Sequence, residues 1–452
     1  MIPRLAGTSP WSDYSAAIPD PQMFKYAQLL TFPTMLGIFK GRGFKTPWHL
    51  RVLYISTFLL RTAFGALLLL ISAYVSGGDK LLQVAIIAVP YPLAEMATAN
   101  YFGIISDNRG RKMIIVFGTT LAAVIVGLYT LSNNVWYLAT LHGIHGIGAA
   151  ATVAPAIAMI ADYAHETDRG RQMGWFDYST FLGYIVGAVV GGYFIDLFGA
   201  RIGFVIIAAL LAASAIMLYT LVKEKESRTK SERTGFAELK KVFKVREIRL
   251  MFPIWLIIAT LLGIALTYLP IILLDNNISG SKIGLLFGLA GIALGLMQPF
   301  WGKVSDIVGR IPVMAYGVFS IFGIVVMLVA FPDSAFTMAG NTLTFEIGII
   351  PLGILGLGAG AFVPAALAMM ADSSNSESYG STMGLYSFAL GFGAFLAETL
   401  GLIIIFNTGS DKAPVWLLYF AAALIVLAVI MMILFFVSTL VRARLRKKKA
   451  AA

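Results

Sequence analysis

An all-α integral membrane protein, with twelve transmembrane helices in two pseudo-symmetric six-helix bundles and both termini cytoplasmic, is the fold this sequence predicts. Composition is the first reason. Of 452 residues, 58% are hydrophobic and 13% charged, and the mean hydropathy is +0.83, more apolar surface than a soluble core could hide. Spacing is the second: apolar stretches at about 50–76, 81–105, 112–131, 136–162, 173–196, 202–222, 250–274, 282–304, 311–331, 346–371, 380–406 and 414–440 each approach the ~20 residues that cross a bilayer. The third is a repeat. Gly103-Ile-Ile-Ser-Asp107-Asn-Arg-Gly110-Arg111 returns 199 residues later as Gly302-Lys-Val-Ser-Asp306-Ile-Val-Gly309-Arg310, both reading GxxSDxxGR. Each copy lies between two apolar stretches, so the chain is built from two similar halves.

Charge orients the segments. Of the 34 Lys and Arg, 29 fall on the side of the two termini; Lys80, Arg201, Lys282 and Lys412 fall on the other, and Arg61 lies within the first stretch. The positive-inside rule then puts both termini in the cytoplasm. The net charge of +11 is a topology signal, with the anionic inner leaflet as its partner and no nucleic acid. Lack of cysteine excludes disulfides, thiol catalysis and Cys-ligated metals. Four histidines, only two of them near each other, give no metal site and no nucleophile–base constellation, so no enzyme is expected. The first 20 residues carry no basic n-region with an apolar run, so the first spanning helix is expected to direct insertion into the cell membrane.

The predicted organisation is an N-terminal cytoplasmic extension (1–47), a first six-helix bundle (48–222), a cytoplasmic linker with an interfacial helix (223–249), a second bundle (250–440) and a basic cytoplasmic tail (441–452). The linker helix rests on Phe236, Leu239, Val242 and Phe243 alternating with Lys240, Lys241 and Lys244.

The duplicated loop resembles the signature between the second and third helices of each half in the major facilitator superfamily of secondary transporters. The resemblance covers roughly residues 48–440. It implies two bundles rocking about a central cavity. It also implies a motif, here Gly103, Asp107, Gly110, Arg111 and Gly302, Asp306, Gly309, Arg310, that latches the halves at the cytoplasmic side when the carrier faces outward. The alternative is that these residues only anchor topology. The following connection, with Asp162, Arg169 and Arg171, resembles the family's, and Asp162 is placed to pair with Arg111 across the cytoplasmic gate. Its second-half counterpart, Asp372 to Gly380, has no basic residue.

In chain order, Arg61 stands about 15 Å inside Arg51, near the midplane. There an unpaired arginine costs at least ~2.5–3.5 kcal/mol, so a partner or a water-filled cavity is expected. Glu95 in the second helix lies at similar depth. The two are either a structural ion pair or an anion site with a switchable counter-ion. A longer echo, at an offset of 210, aligns Gly143–Asp162 with Gly353–Asp372 and Met173-Gly174 with Met383-Gly384. Within it, His142-Gly-Ile-His145-Gly-Ile-Gly148 resembles the family's RxxQGxG, whose arginine is associated with proton coupling. His145 is a coupling candidate or a packing residue, and His142 a solvated helix-end residue or a partner of it. Asp177 is either an ion-pair partner of Arg171 or a coupling carboxylate. Gly183-xxx-Gly187-Ala-Val-Val-Gly191-Gly192 is similar to the GxxxGPxxGG motif of drug and proton antiporters, with Ala188 in place of the proline.

The second half has fewer buried polar groups. Gln298 either contacts substrate or bonds a neighbouring helix. Glu398, within the membrane, is a protonation candidate. Phe252, Trp255, Tyr268, Trp301 and Tyr386 either give the cavity its shape or face lipid and pack, and none is assigned a role. The expected function is secondary transport of a small organic solute by alternating access, driven by the proton gradient without a cofactor, in a monomer. Efflux of amphipathic compounds leads, transport of an organic anion through Arg61 is the alternative, and a non-transporting receptor of the same descent is the alternative of another class.

Overall fold

Proline and glycine decide where the helices bend and stop. A computed structural model of the chain describes residues 46–163, 169–224, 243–330, 336–339, 342–345, 349–372 and 379–451. The predicted extension before residue 46 and most of the linker helix lie outside these. The first half comprises α1 (Trp48–Tyr74), α2 (Lys80–Ala88), α3 (Pro90–Arg109), α4 (Arg111–Leu128), α5 (Val135–Tyr163) and α6 (Arg169–Leu221). The second half comprises α7 (Arg246–Asp275), α8 (Gly280–Leu296), α9 (Gln298–Val308), α10 (Arg310–Ala330), α11 (Ile349–Ala359), α12 (Phe362–Asp372), α13 (Tyr379–Thr408) and α14 (Ala413–Ala451).

Three of the predicted helices are therefore each two pieces. The second is divided at Val89–Pro90, the eighth at Met297 ahead of Pro299, and the tenth ahead of Pro364. Proline has no N–H for the helical ladder and its ring crowds the preceding turn. Conversely, the predicted fifth and sixth helices run together in α6, which turns only at Gly199, with φ 76° and ψ 161°, a conformation suited to glycine. Among the described residues eleven helical stretches are long and apolar enough to cross a membrane, and the longest, Tyr178–Leu221, contains that turn.

Two details go beyond the expectation. Helix α14 continues through the basic tail to Ala451, where Lys, Arg and Ala are good helix formers. Between α10 and α11 two short strands, β1 (Phe336–Ala339) and β2 (Thr342–Phe345), pair antiparallel with Ala339 opposite Thr342. The all-helical expectation omitted these strands; the Gly-Asn pair at 340–341, outside the described residues, is their sequence signal.

Packing separates the two ends of the bundle. Close to the GxxSDxxGR loops each half has its own core: Leu50, Leu53, Met159, Phe176 and Leu218 in the first, Met251, Trp255, Phe362, Met369 and Phe435 in the second. Toward the opposite, distal end one core is shared, with Leu67, Leu70, Phe204 and Leu211 joined by Tyr268, Ile271, Ile405 and Leu417. Three polar contacts between the halves lie at that end: Lys80 to Asp275 at 3.4 Å, Ser410 to Asp79, and Asp196 to the start of α8. The halves are thus held together at the distal end.

Candidate transport site between the two bundles

Close approach of α1 and α6 builds the floor of the site. A Cβ on Gly187 would stand 2.2 Å from the Thr62 carbonyl oxygen, one on Gly183 2.6 Å from Arg61 Cβ, and one on Gly191 2.7 Å from Ala66 Cα. The antiporter-like glycines therefore divide their work. Gly183, Gly187 and Gly191 admit α1, while Gly192 faces α8, where its Cβ would meet the Gly280 carbonyl at 2.1 Å.

Arg61 emerges from this seam. Its Nη1 donates to the Tyr184 hydroxyl at 3.0 Å, its guanidinium carbon lies 5.5 Å from that ring's centroid, and its Nε is buried without a hydrogen-bond partner. The described contacts of the Arg61 guanidinium go to Tyr184 and none goes to Glu95. The direct ion pair offered as one reading is thus replaced by a tyrosine hydroxyl and ring, an arrangement in which a cation–π contact contributes about 0.5–2 kcal/mol.

An aromatic chain runs on from Arg61. Phe64 packs between Tyr184 and Tyr91, at 5.6 and 5.4 Å between centroids. Tyr91, in the Pro90-Tyr-Pro92 bend, meets His142 at 4.9 Å and His145 at 5.3 Å. His142 is buried, not a solvated helix-end residue, and shares a 2.8 Å hydrogen bond with the Tyr129 hydroxyl. His145 is 4% exposed, and its Nδ1 has no hydrogen-bond partner. It lines, with Arg61, Tyr91 and Thr152, a small cavity in the first bundle.

Glu398 faces this group from the second half. Its Oε1 accepts a long bond from Thr267 at 3.5 Å, and its Oε2 is buried with no partner. Tyr268 is anchored by donating to the Glu398 backbone carbonyl at 2.7 Å. Toward the loop end from Glu398 the same helix carries Phe395, Phe392 and Phe388, stacked at 6.2 and 5.5 Å, and Phe252 of α7 stacks on Phe388 at 6.5 Å. Gln298 opens α9 at the Met297 break.

The two loops are built alike. Gly110 and Gly309 have φ of 106° and 104°, which a side chain would strain. Ser106 and Ser305 each donate to the carbonyl of the motif's first glycine, Gly103 and Gly302, at 2.7 Å. Arg111 Nη1 pairs with Asp162 Oδ2 at 2.9 Å, both nearly inaccessible; Arg310 Nε pairs with Asp372 at 2.9 Å in a far more exposed setting, and also with Asp306. Each pair lies inside one half, so Arg111 and Asp162 tie α4 to α5 and do not bridge the gate as expected. Glu224, absent from the sequence-based candidates, accepts from the Arg111 and Lys112 backbone N–H at 3.1 and 2.9 Å, capping α4. The side chains of Asp107, Arg169, Arg171, Asp177 and Tyr386 lie outside the described ones.

Sequence reasoning missed Tyr184, Tyr91, Tyr129, Thr267, Glu224 and Asp196. Tyr91 has a local signal, its place between two prolines; Glu224 is an acid just past a helix end. Tyr184 and Thr267 have none, because uncharged residues in an apolar stretch stand out only once their neighbours across the bundle are known.

Relatives agree with this architecture. A 25% identical protein of Methanocaldococcus jannaschii, described as an uncharacterized MFS-type transporter, aligns over 78% of this chain and 92% of its own. A protein of Lactococcus lactis described as a multi-drug resistance efflux pump PmrA homolog is 24% identical over 73% of this chain and 81% of its own. The crystal structure of the nucleoside transporter NupG superposes with a TM-score of 0.66 at 14% identity, covering 85% of this chain and 98% of that one, a likeness of fold. The model of the Major Facilitator Superfamily matches twice, at residues 53–275 and 251–452, once per half, and the chain belongs to that superfamily.

Proposed function

We propose that this protein is a proton-coupled secondary transporter that exports amphipathic compounds by alternating access, with Glu398 and Glu95 carrying the exchanged proton. The observation that carries the reading is Glu398: a buried carboxyl with one oxygen unpartnered and the other accepting a long bond from Thr267. A carboxylate inside a membrane is costly unless it is neutralised. A proton or a cationic ligand group satisfies it, and exchange of one for the other couples the two fluxes. The row of Phe388, Phe392 and Phe395 offers an apolar body a surface next to that carboxyl. Relatives described as multidrug efflux pumps or multidrug resistance proteins favour the same substrate class.

In this reading α6 counts as two spans divided at Gly199, which makes twelve. The bundles are 48–222 and 250–440, joined by a cytoplasmic linker at 223–249, and both termini are cytoplasmic in the cell membrane. The distal end is then the outer side, and the described conformation is closed outward. His145 and Asp177 are additional coupling candidates, Gln298 a substrate candidate, and the loop residues with Arg169 and Arg171 the cytoplasmic gate. The transporter acts as a monomer.

Arg61 favours a second reading, transport of an organic anion, because its guanidinium is held by a tyrosine and has a buried donor to spare. A thermal-shift screen with small organic anions and with amphipathic cations, on wild type and Arg61→Ala, separates the two. A ligand at about 100 times its Kd stabilises by roughly 2.7 kcal/mol. Cations that stabilise both proteins support efflux; anions that stabilise wild type alone make Arg61 the substrate site and end the efflux reading.

A further inference from the structure

We propose that Asp196 is a positioning residue for the transport cycle: a carboxylate on the first bundle that caps the N-terminus of α8 on the second and so holds the outer gate shut. Its Oδ1 accepts from the Gly280 N–H at 2.9 Å and its Oδ2 from the Ser281 N–H at 2.8 Å. These are two of the donors a helix start leaves without a partner, and a carboxylate there also meets the favourable end of the helix dipole. Contact at this point is set by backbone. A Cβ on Gly280 would lie 2.8 Å from the Gly192 carbonyl and one on Gly284 2.4 Å from the Ala188 carbonyl, so α8 cannot move away from α6 without freeing both N–H groups.

The residue that should cap α8 locally does not. Ser279 occupies the N-cap position, in an extended conformation suited to the role, yet makes no side-chain cap bond; its hydroxyl lies 3.3 Å from the Ser281 hydroxyl. Two acceptors thus compete for one helix start, one from each bundle. When the halves part at this end, Asp196 leaves with α6, the Ser279 hydroxyl accepts from the Ser281 N–H, and the Gly280 N–H turns to water. Both donors keep a partner in either state, so the latch exchanges partners at low cost, as a two-state element must. The neighbouring contacts, Lys80 with Asp275 and Ser410 with Asp79, involve exposed side chains and lack such a local replacement.

The inference rests on the alternating-access reading, and its test keeps the two separate. The chain has no cysteine, so Val189→Cys, in the seam where Val189 Cγ2 lies 2.6 Å from a Cβ built on Gly288, reports opening alone. Its reaction with a membrane-impermeant maleimide is timed in right-side-out and everted vesicles. Adding Asp196→Ala speeds labelling from outside roughly fivefold, the size of one lost N-cap; Asp196→Asn, which keeps one acceptor, speeds it less. Adding Ser279→Ala slows it, because the open state then lacks its replacement cap. Unchanged labelling in Asp196→Ala, or a shift of Asp196→Ala and Ser279→Ala in the same direction, overturns the latch. Labelling that enters only from the cytoplasmic face overturns the orientation, not the latch.

Discussion

Asp162→Ala removes the carboxylate from the most buried ion pair described here. Arg111 and Asp162 are 2% and 3% exposed, with 2.9 Å between Nη1 and Oδ2. At such burial water cannot replace the lost partner, and deleting one member of a buried pair costs about 3–5 kcal/mol. The Glu224 cap on the same helix start is worth about 1 kcal/mol and stays in place. At about 2–4 °C per kcal/mol for a large domain, the melting temperature of Asp162→Ala falls by roughly 6–20 °C. The seven tryptophans and absent cysteine make intrinsic fluorescence of the detergent-purified protein the readout. The double variant Arg111→Met/Asp162→Leu recovers most of the loss, since apolar residues of similar volume replace such pairs at little cost. A drop below about 2 °C in the single variant, or additive losses in the double, refutes a buried pair that ties α4 to α5.

Further outcomes follow from local geometry. Gly187→Ala must part α1 from α6, because its Cβ meets the Thr62 carbonyl at 2.2 Å; a loss of about 1–3 kcal/mol is expected in thermal unfolding. Gly103→Ala meets nothing within 4 Å, so stability is kept or slightly raised, whereas transport in vesicles falls if this motif glycine packs closely only when the halves close at the loop end. Tyr163 lies just beyond the membrane-spanning part of α5, and its hydroxyl is raised above the ordinary value of 10.0, first by burial and then by the charges of Glu224 and Asp162. A raised value stabilises the fold in full below pH about 10 and is lost as pH rises beyond it. Tyr163→Phe therefore flattens the alkaline limb of a melting-temperature profile; an unchanged limb contradicts the assignment.

Much of the architecture was legible because membrane helices announce themselves by length and apolarity, and a duplicated loop announces duplication. Gly110 and Gly309 show how far this reaches: both stand in the pattern, and both have φ near 105°. Proline bends were less legible, since Pro155 stays within α5 while Pro90, Pro299 and Pro364 interrupt theirs; packing decides which. Charged residues marked the site at Arg61 and Glu398, because an intramembrane charge needs a partner. The partners themselves, Tyr184 and Thr267, carry no charge, and nothing in a linear apolar stretch says which hydroxyl will face an arginine 123 residues away. Asp196 was hidden differently: it looks like a loop acid, and only the distance to Gly280 and Ser281 gives it a task.

The most direct test of proton-coupled export is proton movement itself. Purified protein is reconstituted into liposomes containing a pH-sensitive dye, and amphipathic cations are added against a set pH gradient, for wild type and Glu398→Gln. The account predicts that such a cation releases protons in the opposite direction with wild type, and that Glu398→Gln still binds ligand in a thermal-shift assay but moves no protons. Substrate flux without proton flux in wild type, or proton exchange retained by Glu398→Gln, contradicts it.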